Sequence, residues 1–355
     1  MNILEVYTLN DYFIKEALLY PNLVLARVVA KYKGIYRVVT KNRNSLAKLS
    51  GKFYNDNNRQ IDYPAVGDFV MVNEVDPSLS IIEKVLNRRS CLTRSDVTNN
   101  NQSQIIASNL DYVFICMSLN NNFNLNRLER YLSIVYQSGA LPVIVLTKAD
   151  LCDCVDEKVL SVQCLDGMAE IITTSIYDED IDKKIYSILK KGMCGAFIGS
   201  SGVGKSTLIN KLLNKEVLET KEIGKDDKGK HTTTVSQMLV LLNYSLVIDT
   251  PGMRELALDN DDLSLSFNDI EELAINCKFK NCTHTNEMGC AVLQAIDDGS
   301  LDQRRLNNYF KMKRETSYSN LNYKQIENEK LSRMFKDIGG MKNARRFSKT
   351  LEKRK

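Results

Sequence analysis

From residue 22 to residue 86 the apolar positions come in short β-rich runs, at 23–30, 34–40, 45–49, 65–73 and 79–86. Turn formers part them, among them Tyr54-Asn55-Asp56-Asn57-Asn58 and Asp76-Pro77-Ser78. Short strands at this spacing predict a small barrel. A polar stretch, 95–108, then reads as a linker. Beyond it the pattern alternates between periods. Residues 110–119 read as a buried strand, and 126–137 as an amphipathic helix with Leu128, Leu132 and Val135 on one side. Strands follow at 141–146 and 169–173, a helix at 179–191, a strand at 193–198 and a helix at 206–214. Strands 234–242 and 245–248 form a pair joined by a tight turn at Asn243-Tyr244. Such alternation predicts a mostly parallel sheet with helices on both faces. After Gly252 the strand signals fade, and 268–275, 291–297 and 303–313 read as helices.

The strand at 193–198 runs into Gly199-Ser200-Ser201-Gly202-Val203-Gly204-Lys205-Ser206-Thr207, and Gly199 through Ser206 fit G-x-x-x-x-G-K-[ST]. Glycines let successive backbone N–H groups turn into one concavity around phosphate oxygens. Lys205 is the side chain to reach the terminal phosphates, and the Ser206 hydroxyl the one to ligate Mg²⁺. Strand before and helix after are the context this motif needs, so the chain is expected to bind a nucleoside triphosphate.

Thr147-Lys148-Ala149-Asp150 follows the strand at 141–146 and is similar to the guanine-reading N-K-x-D of GTPases, with Thr in place of Asn. A carboxylate at Asp150 accepts from both the ring N–H and the exocyclic amine of guanine, a donor pair that adenine lacks, and charged acceptors make the stronger bonds. The Lys148 stem can cover the base face. Thr174-Ser175 ends the next strand, where GTPases place a base-contacting loop, and Ser175 joins the expected GTP contacts. Ordinary GTPases carry the phosphate loop first; here the base reader precedes it, so the order is circularly permuted. Gly229-Lys230-His231-Thr232-Thr233-Thr234 and Asp249-Thr250-Pro251-Gly252 follow. Asp249 would hold Mg²⁺ through water, and Gly252 would offer its N–H to the γ-phosphate. Thr234 is the preferred Mg²⁺ and γ-phosphate sensor, with Thr232 and Thr233 also open. Met253 stands where many GTPases have a water-orienting Gln, and a thioether positions water poorly. His231 can take that role, or it can face solvent or RNA.

Cys277-x4-Cys282-x-His284-x5-Cys290 supplies three thiolates and an imidazole, the ligand set of a closed structural zinc site. Lys278, Lys280, Asn281 and Asn286 make the segment too polar for a core. Four protein ligands leave no open position, so no catalytic role is expected.

Taken together, TKAD at 147–150, GSSGVGKST at 199–207, GKHTTT at 229–234, DTPG at 249–252 and the Cys/Cys/His/Cys spacing resemble the circularly permuted GTPases of the RsgA (YjeQ) family. The resemblance implies an OB-fold barrel, a central α/β P-loop GTPase and a C-terminal helical zinc domain. It raises a "small β domain" to an OB-fold. Expected boundaries are 1–90 for the barrel, 91–108 for a linker, 109–256 for the GTPase and 257–355 for the zinc domain with its basic tail. It implies GTP hydrolysis in late maturation of the small ribosomal subunit, with GTP/GDP, the subunit and its rRNA as partners, one structural Zn²⁺, and Mg²⁺ with GTP. The other reading is a GTP-regulated module on a non-ribosomal RNA.

Composition adds little to this. The formal charge is +4, but basic residues gather at 87–94 and at 342–355, where they either meet phosphate or form a solvated surface. Arg304, Arg305, Lys311, Lys313 and Arg314 carry the same two readings. Tyr32, Tyr36 and Phe53 are candidate base-stacking faces or barrel core. The start lacks a basic segment followed by an apolar one, and no apolar run suits a membrane span. Cys116 and Cys194 read as core thiols. A cytoplasmic monomer without membrane contact is expected.

Overall fold

The computed structural model describes residues 3–56, 59–96, 102–215, 236–249, 267–317 and 325. Five strands open the fold: β1 (Val24–Lys31), β2 (Tyr36–Thr40), β3 (Asn44–Leu49), β4 (Phe69–Glu74) and β5 (Leu79–Val85). β1 pairs with β2 and β4, β2 with β3, β3 with β5 and β5 with β4. The ring therefore closes in the order 1-2-3-5-4-1, an OB-type barrel. In β3 alternation is plain: Ser45, Ala47 and Leu49 point inward, while Asn44, Leu46 and Lys48 are exposed. Tyr36 and Phe53 pack inside with Val38, Val70 and Ile82, so of the three candidate stacking faces these two are core.

The stretch 91–108, polar enough to read as a linker, carries two strands. β6 (Cys91–Asp96) and β7 (Gln102–Ser108) pair antiparallel, and Leu92, Ile105 and Ala107 are buried. The remaining strands are β8 (Tyr112–Ser118), β9 (Leu141–Thr147), β10 (Glu170–Thr173), β11 (Cys194–Ile198), β12 (Ser236–Val240) and β13 (Leu246–Asp249). They lie in the order β10-β9-β8-β11-β13-β12. All neighbours are parallel up to β13, and β12 turns back antiparallel. Near-continuous apolar runs such as Val143–Leu146 and Val113–Met117 suit strands covered on both faces.

Barrel and sheet are one hydrogen-bonded structure. A register shift between Val28 and Ala30 bends β1, and beyond it Ala30 and Lys31 pair with Gln237 and Ser236 of β12. The barrel thus covers what would otherwise be an open sheet edge. Gly67 closes the seam. Its φ is +103°, and a Cβ there would meet the Ser108 carbonyl oxygen at 2.1 Å. Its N–H donates to Val28 O (2.9 Å), and its own carbonyl accepts from Asn109 Nδ2 (3.1 Å) and Arg27 Nε (3.2 Å).

Within the basic stretch at 87–94, Arg88 is engaged inside this seam, while Arg94 is exposed. Arg88 donates to Asp68 through Nε (2.8 Å) and Nη2 (2.7 Å), and to the carbonyls of Ile61 and Tyr63. Arg89 lies 3.5 Å from Asp111. Asp68 is fully buried and also accepts from Ala65 N (2.8 Å). Arg88→Met fills similar space but strands the carboxylate, so the fold should lose about 3–5 kcal/mol. Chemical denaturation measures this, and an unchanged midpoint would mean that Asp68 has another counter-charge.

Candidate nucleotide site and metal centre

β8 lies between β9 and β11, with Ser118 opposite Thr147 and Ile115 opposite Ile198. From β8 the chain winds through β9 to β10, then crosses to β11 on the other flank. Such a reversal opens a crevice beyond the carboxyl ends of the strands, where α/β sheets take their ligands. The loops after β9 and β11 both emerge there.

The loop after β11 can be built only from glycine at its first position. Gly199 has φ +138°, and a Cβ would lie 2.3 Å from the Cys116 carbonyl oxygen of β8. Gly202 and Gly204 are also left-handed, at +74° and +99°. Helix Lys205–Leu213 starts directly after Gly204, so its unpaired N–H groups face the loop. Lys205 Nζ donates to the Gly199 and Ser200 carbonyls (2.6 and 2.8 Å). Burial lowers the Lys205 pKa, opposed by Cys116 and Asp249. Burial likewise raises that of Asp249, at the end of β13, opposed by the Lys205 charge. Ser206 is half-buried on the first helical turn, Val203 is buried, and Ser201 and Thr207 are exposed.

The segment 147–150, expected to read the base, is fastened to this loop. Thr147 is buried, and its Oγ1 donates to the Val203 carbonyl at 2.7 Å across 56 residues of sequence. The Thr that replaces Asn thus joins the two loops. Lys148 is left-handed (φ +60°) and turns the chain into the short 3₁₀ turn Ala149–Leu151, which exposes Asp150. Ala149 N donates to the Thr174 carbonyl at 3.1 Å, which brings Ser175 to the same edge. The crevice therefore gathers 147–150, 174–175, 199–207 and Asp249. His231, Thr232, Thr233, Thr234, Gly252, Met253 and the 342–355 tail lie outside the described residues.

One residue of this region carries no signature in sequence. Arg127, on helix Leu125–Ser138, donates to Ser200 Oγ (2.6 Å) and Asn122 Oδ1 (3.0 Å). A single arginine on a helix has no spacing that points to a loop 73 residues away.

Residues 85–259 match the family model described as RsgA GTPase. Over 323 residues the chain is 44% identical to the "Small ribosomal subunit biogenesis GTPase RsgA 2" of Lactiplantibacillus plantarum, covering 91% of this chain and 92% of the relative. The chain belongs to the RsgA GTPase family. Another relative, from Methanosarcina acetivorans and named "Small ribosomal subunit biogenesis GTPase RsgA", is 40% identical over 338 residues, 93% of this chain and 90% of its own. The crystal structure of YjeQ from Thermotoga maritima superposes with a TM-score of 0.61 at 25% identity, covering 83% of this chain and 98% of that one. YloQ, described as a circularly permuted GTPase, gives 0.58 at 22% identity, with 83% and 95% covered. Membership in the RsgA GTPase family makes the protein a GTP-hydrolysing enzyme, as the motif set leads one to expect.

Near the C-terminal end of the described residues lies the second centre. Cys277, Cys282, His284 and Cys290 bring their donor atoms within 4.8 Å of one another. A tetrahedron of ~2.3 Å metal–sulfur bonds has edges of roughly 3.8 Å. Cys277 Sγ lies 3.6 Å from His284 Nδ1 and 3.8 Å from Cys290 Sγ, and His284 Nδ1 lies 3.3 Å from Cys290 Sγ. The residues fit a metal ion. His284 takes φ +55°, tolerated better by His than by most side chains. Burial, then Lys313, lowers its pKa and keeps the imidazole neutral, the form that ligates. Burial and two neighbouring thiols push Cys282 up to about 11, and a cation would reverse that crowding.

Of the five basic residues with a phosphate or a solvent reading, Arg304 and Arg305 make ion pairs within the protein. Arg304 reaches Glu129 at 3.1 Å, and Arg305 reaches Glu129 (3.3 Å) and Asp269 (2.6 Å). Lys311 is exposed, while Lys313 Nζ donates to the Tyr309 hydroxyl (2.9 Å) and Arg314 Nε to the Phe310 carbonyl (3.0 Å).

Cys282→Ser should lose the metal and speed amide exchange across Asn268–Ile275 and Ala291–Asp297 more than across the phosphate loop. Metal analysis with hydrogen exchange reads both effects. Full metal content in a variant lacking two of the four donors would remove the assignment.

Proposed function

We propose that this chain is a GTP hydrolase of late small-subunit maturation that binds the subunit and its rRNA in the GTP state and leaves after hydrolysis. The bond from Thr147 Oγ1 to the Val203 carbonyl supports the reading most, because it holds the T-K-x-D segment beside the G-x-x-x-x-G-K-S loop. The names of the relatives support the ribosomal assignment.

Asp150 selects guanine through its two acceptor oxygens, Lys148 lines the base and Ser175 flanks it. Residues 199–207 wrap the phosphates, with Lys205 at the β/γ bridge. Ser206, Asp249 and Thr234 are the residues to hold Mg²⁺, which supplies charge neutralisation at the phosphates. Gly252 contributes an N–H to the γ-phosphate, and His231 orients the attacking water. Zn²⁺ is the metal that three thiolates and one imidazole suit best, in a structural role. We further propose the division 1–90, 91–108, 109–256 and 257–355, a monomeric state and a cytoplasmic location. Among the described residues no helix is long and apolar enough to cross a membrane.

Asp150→Asn turns a charged double acceptor into a mixed donor–acceptor and should weaken GTP binding by about 1.5–3 kcal/mol. Competition against a labelled guanine nucleotide measures it, and ATP competing as well as GTP would overturn the base assignment. With Met253 in place of a water-orienting Gln, unstimulated turnover should be slow, and purified small subunits should raise it. Equal turnover with and without subunits, together with nucleotide-independent subunit binding, would sink the maturation role.

A further inference from the structure

Helix Leu125–Ser138 touches two functional regions with neighbouring residues of its first turns. Asn124 caps it, accepting from Arg127 N at 3.0 Å, so the Arg127 backbone is fixed. Arg127 Nη1 then donates to both Asn122 Oδ1 and Ser200 Oγ. Ser200 is also the residue whose carbonyl takes Lys205 Nζ at 2.8 Å. Arginine and lysine therefore grip the same corner of the phosphate loop, one by its side chain and one by its backbone.

One residue before Arg127 and two after it, the helix meets helix Gln303–Ser317. Arg304 donates to Asn126 Oδ1 (2.5 Å) and to Glu129 (3.1 Å). Arg305 and Asn308 also donate to Glu129. Glu129 is only 2% exposed, so this contact is a buried, multiply bonded carboxylate rather than a surface pair.

We propose that Arg127 is a positioning residue for GTP turnover. It sets the Ser200 peptide on which the Lys205 ammonium rests, and the same helical turn carries the state of that corner to helix Gln303–Ser317. The proposal rests on the reading of 199–207 as the GTP site. Both Arg127 bonds leave one nitrogen, Nη1, whose two hydrogens are held in the guanidinium plane, whereas a lysine ammonium rotates freely on its stem. Small misplacement of a catalytic group costs rate more than binding, up to ~10²-fold for about 1 Å.

The test uses the full chain with bound metal. Arg127→Met should lower kcat about tenfold or more while KM for GTP changes less than about threefold, and Arg127→Lys should recover only part of the rate. Hydrogen exchange in Gln303–Ser317 should differ between the GDP and non-hydrolysable GTP-analogue states of the unaltered protein. That difference should vanish in Arg127→Met and shrink in Arg304→Met, which removes the Asn126 contact and one of three donors to Glu129 on the far side of the same link. If Arg127→Met folds poorly, Ser200→Ala removes the bond from the loop side and must show the same kcat loss. An unchanged kcat, full rescue by lysine, or a nucleotide-dependent exchange difference that survives Arg127→Met or is undiminished in Arg304→Met would overturn the proposal. Failure of the unaltered protein to bind GTP, with Lys205→Ala as control, would instead overturn the GTP-site reading itself.

Discussion

The nucleotide site depends on the parallel register of four buried strands, β9, β8, β11 and β13. Their hydrogen-bond ladders align Thr147 with Ser118 and Ile198 with Ile115, and set β13 beside β11. Because both faces are covered, a slip by one residue would exchange the side chains of two cores at once. The register brings the turn at Gly199 against the Cys116 carbonyl, where only glycine fits. It also puts the Thr147 hydroxyl within reach of Val203. The loops at 147–150 and 199–207 are thus spaced by backbone pairing, the stiffest element available, and joined by one buried hydrogen bond.

Around that register the fold is held at two places by buried charge. On the barrel side, Asp68 lies between Arg88 and the Ala65 amide, while Gly67 ties the barrel to residues 108–109. On the C-terminal side, Glu129 receives Arg304, Arg305 and Asn308. Buried pairs of this kind add little net stability relative to apolar packing, yet breaking one partner is costly, so they fix geometry. Barrel and C-terminal helices are in this way registered to the same sheet. The permuted chain order accompanies that arrangement, since in sequence the barrel precedes β8 and the Cys/His cluster follows β13.

Much of this was legible from local pattern. The five barrel strands, the alternation from β8 to β13 and the helices 268–275, 291–297 and 303–313 all show as periodicity, because period reports which face is apolar. Glycine and cysteine spacings carry the phosphate loop and the metal ligands, since each needs a residue type that few others replace. Helix Val155–Leu165 escapes such a reading, for Val162 is its only fully buried residue and the apolar stripe is too thin. The β6–β7 pair escapes as well, because its polar positions mask Leu92, Ile105 and Ala107.

Sequence by itself determined the chemical signatures: a G-x-x-x-x-G-K-S loop, a T-K-x-D segment placed before it, and three thiols with one imidazole. Tertiary structure alone decided what the charges and edges do. Arg88, Arg304 and Arg305 look in sequence like any solvated basic residues, and their long-range partners lie 20 to 178 residues away. The pairing of β1 with β12 is invisible for the same reason, since a strand's free edge carries only backbone groups that every residue shares. Local composition records whether a side chain prefers water. Which distant group meets it out of water is decided only when the strands close and the helices dock.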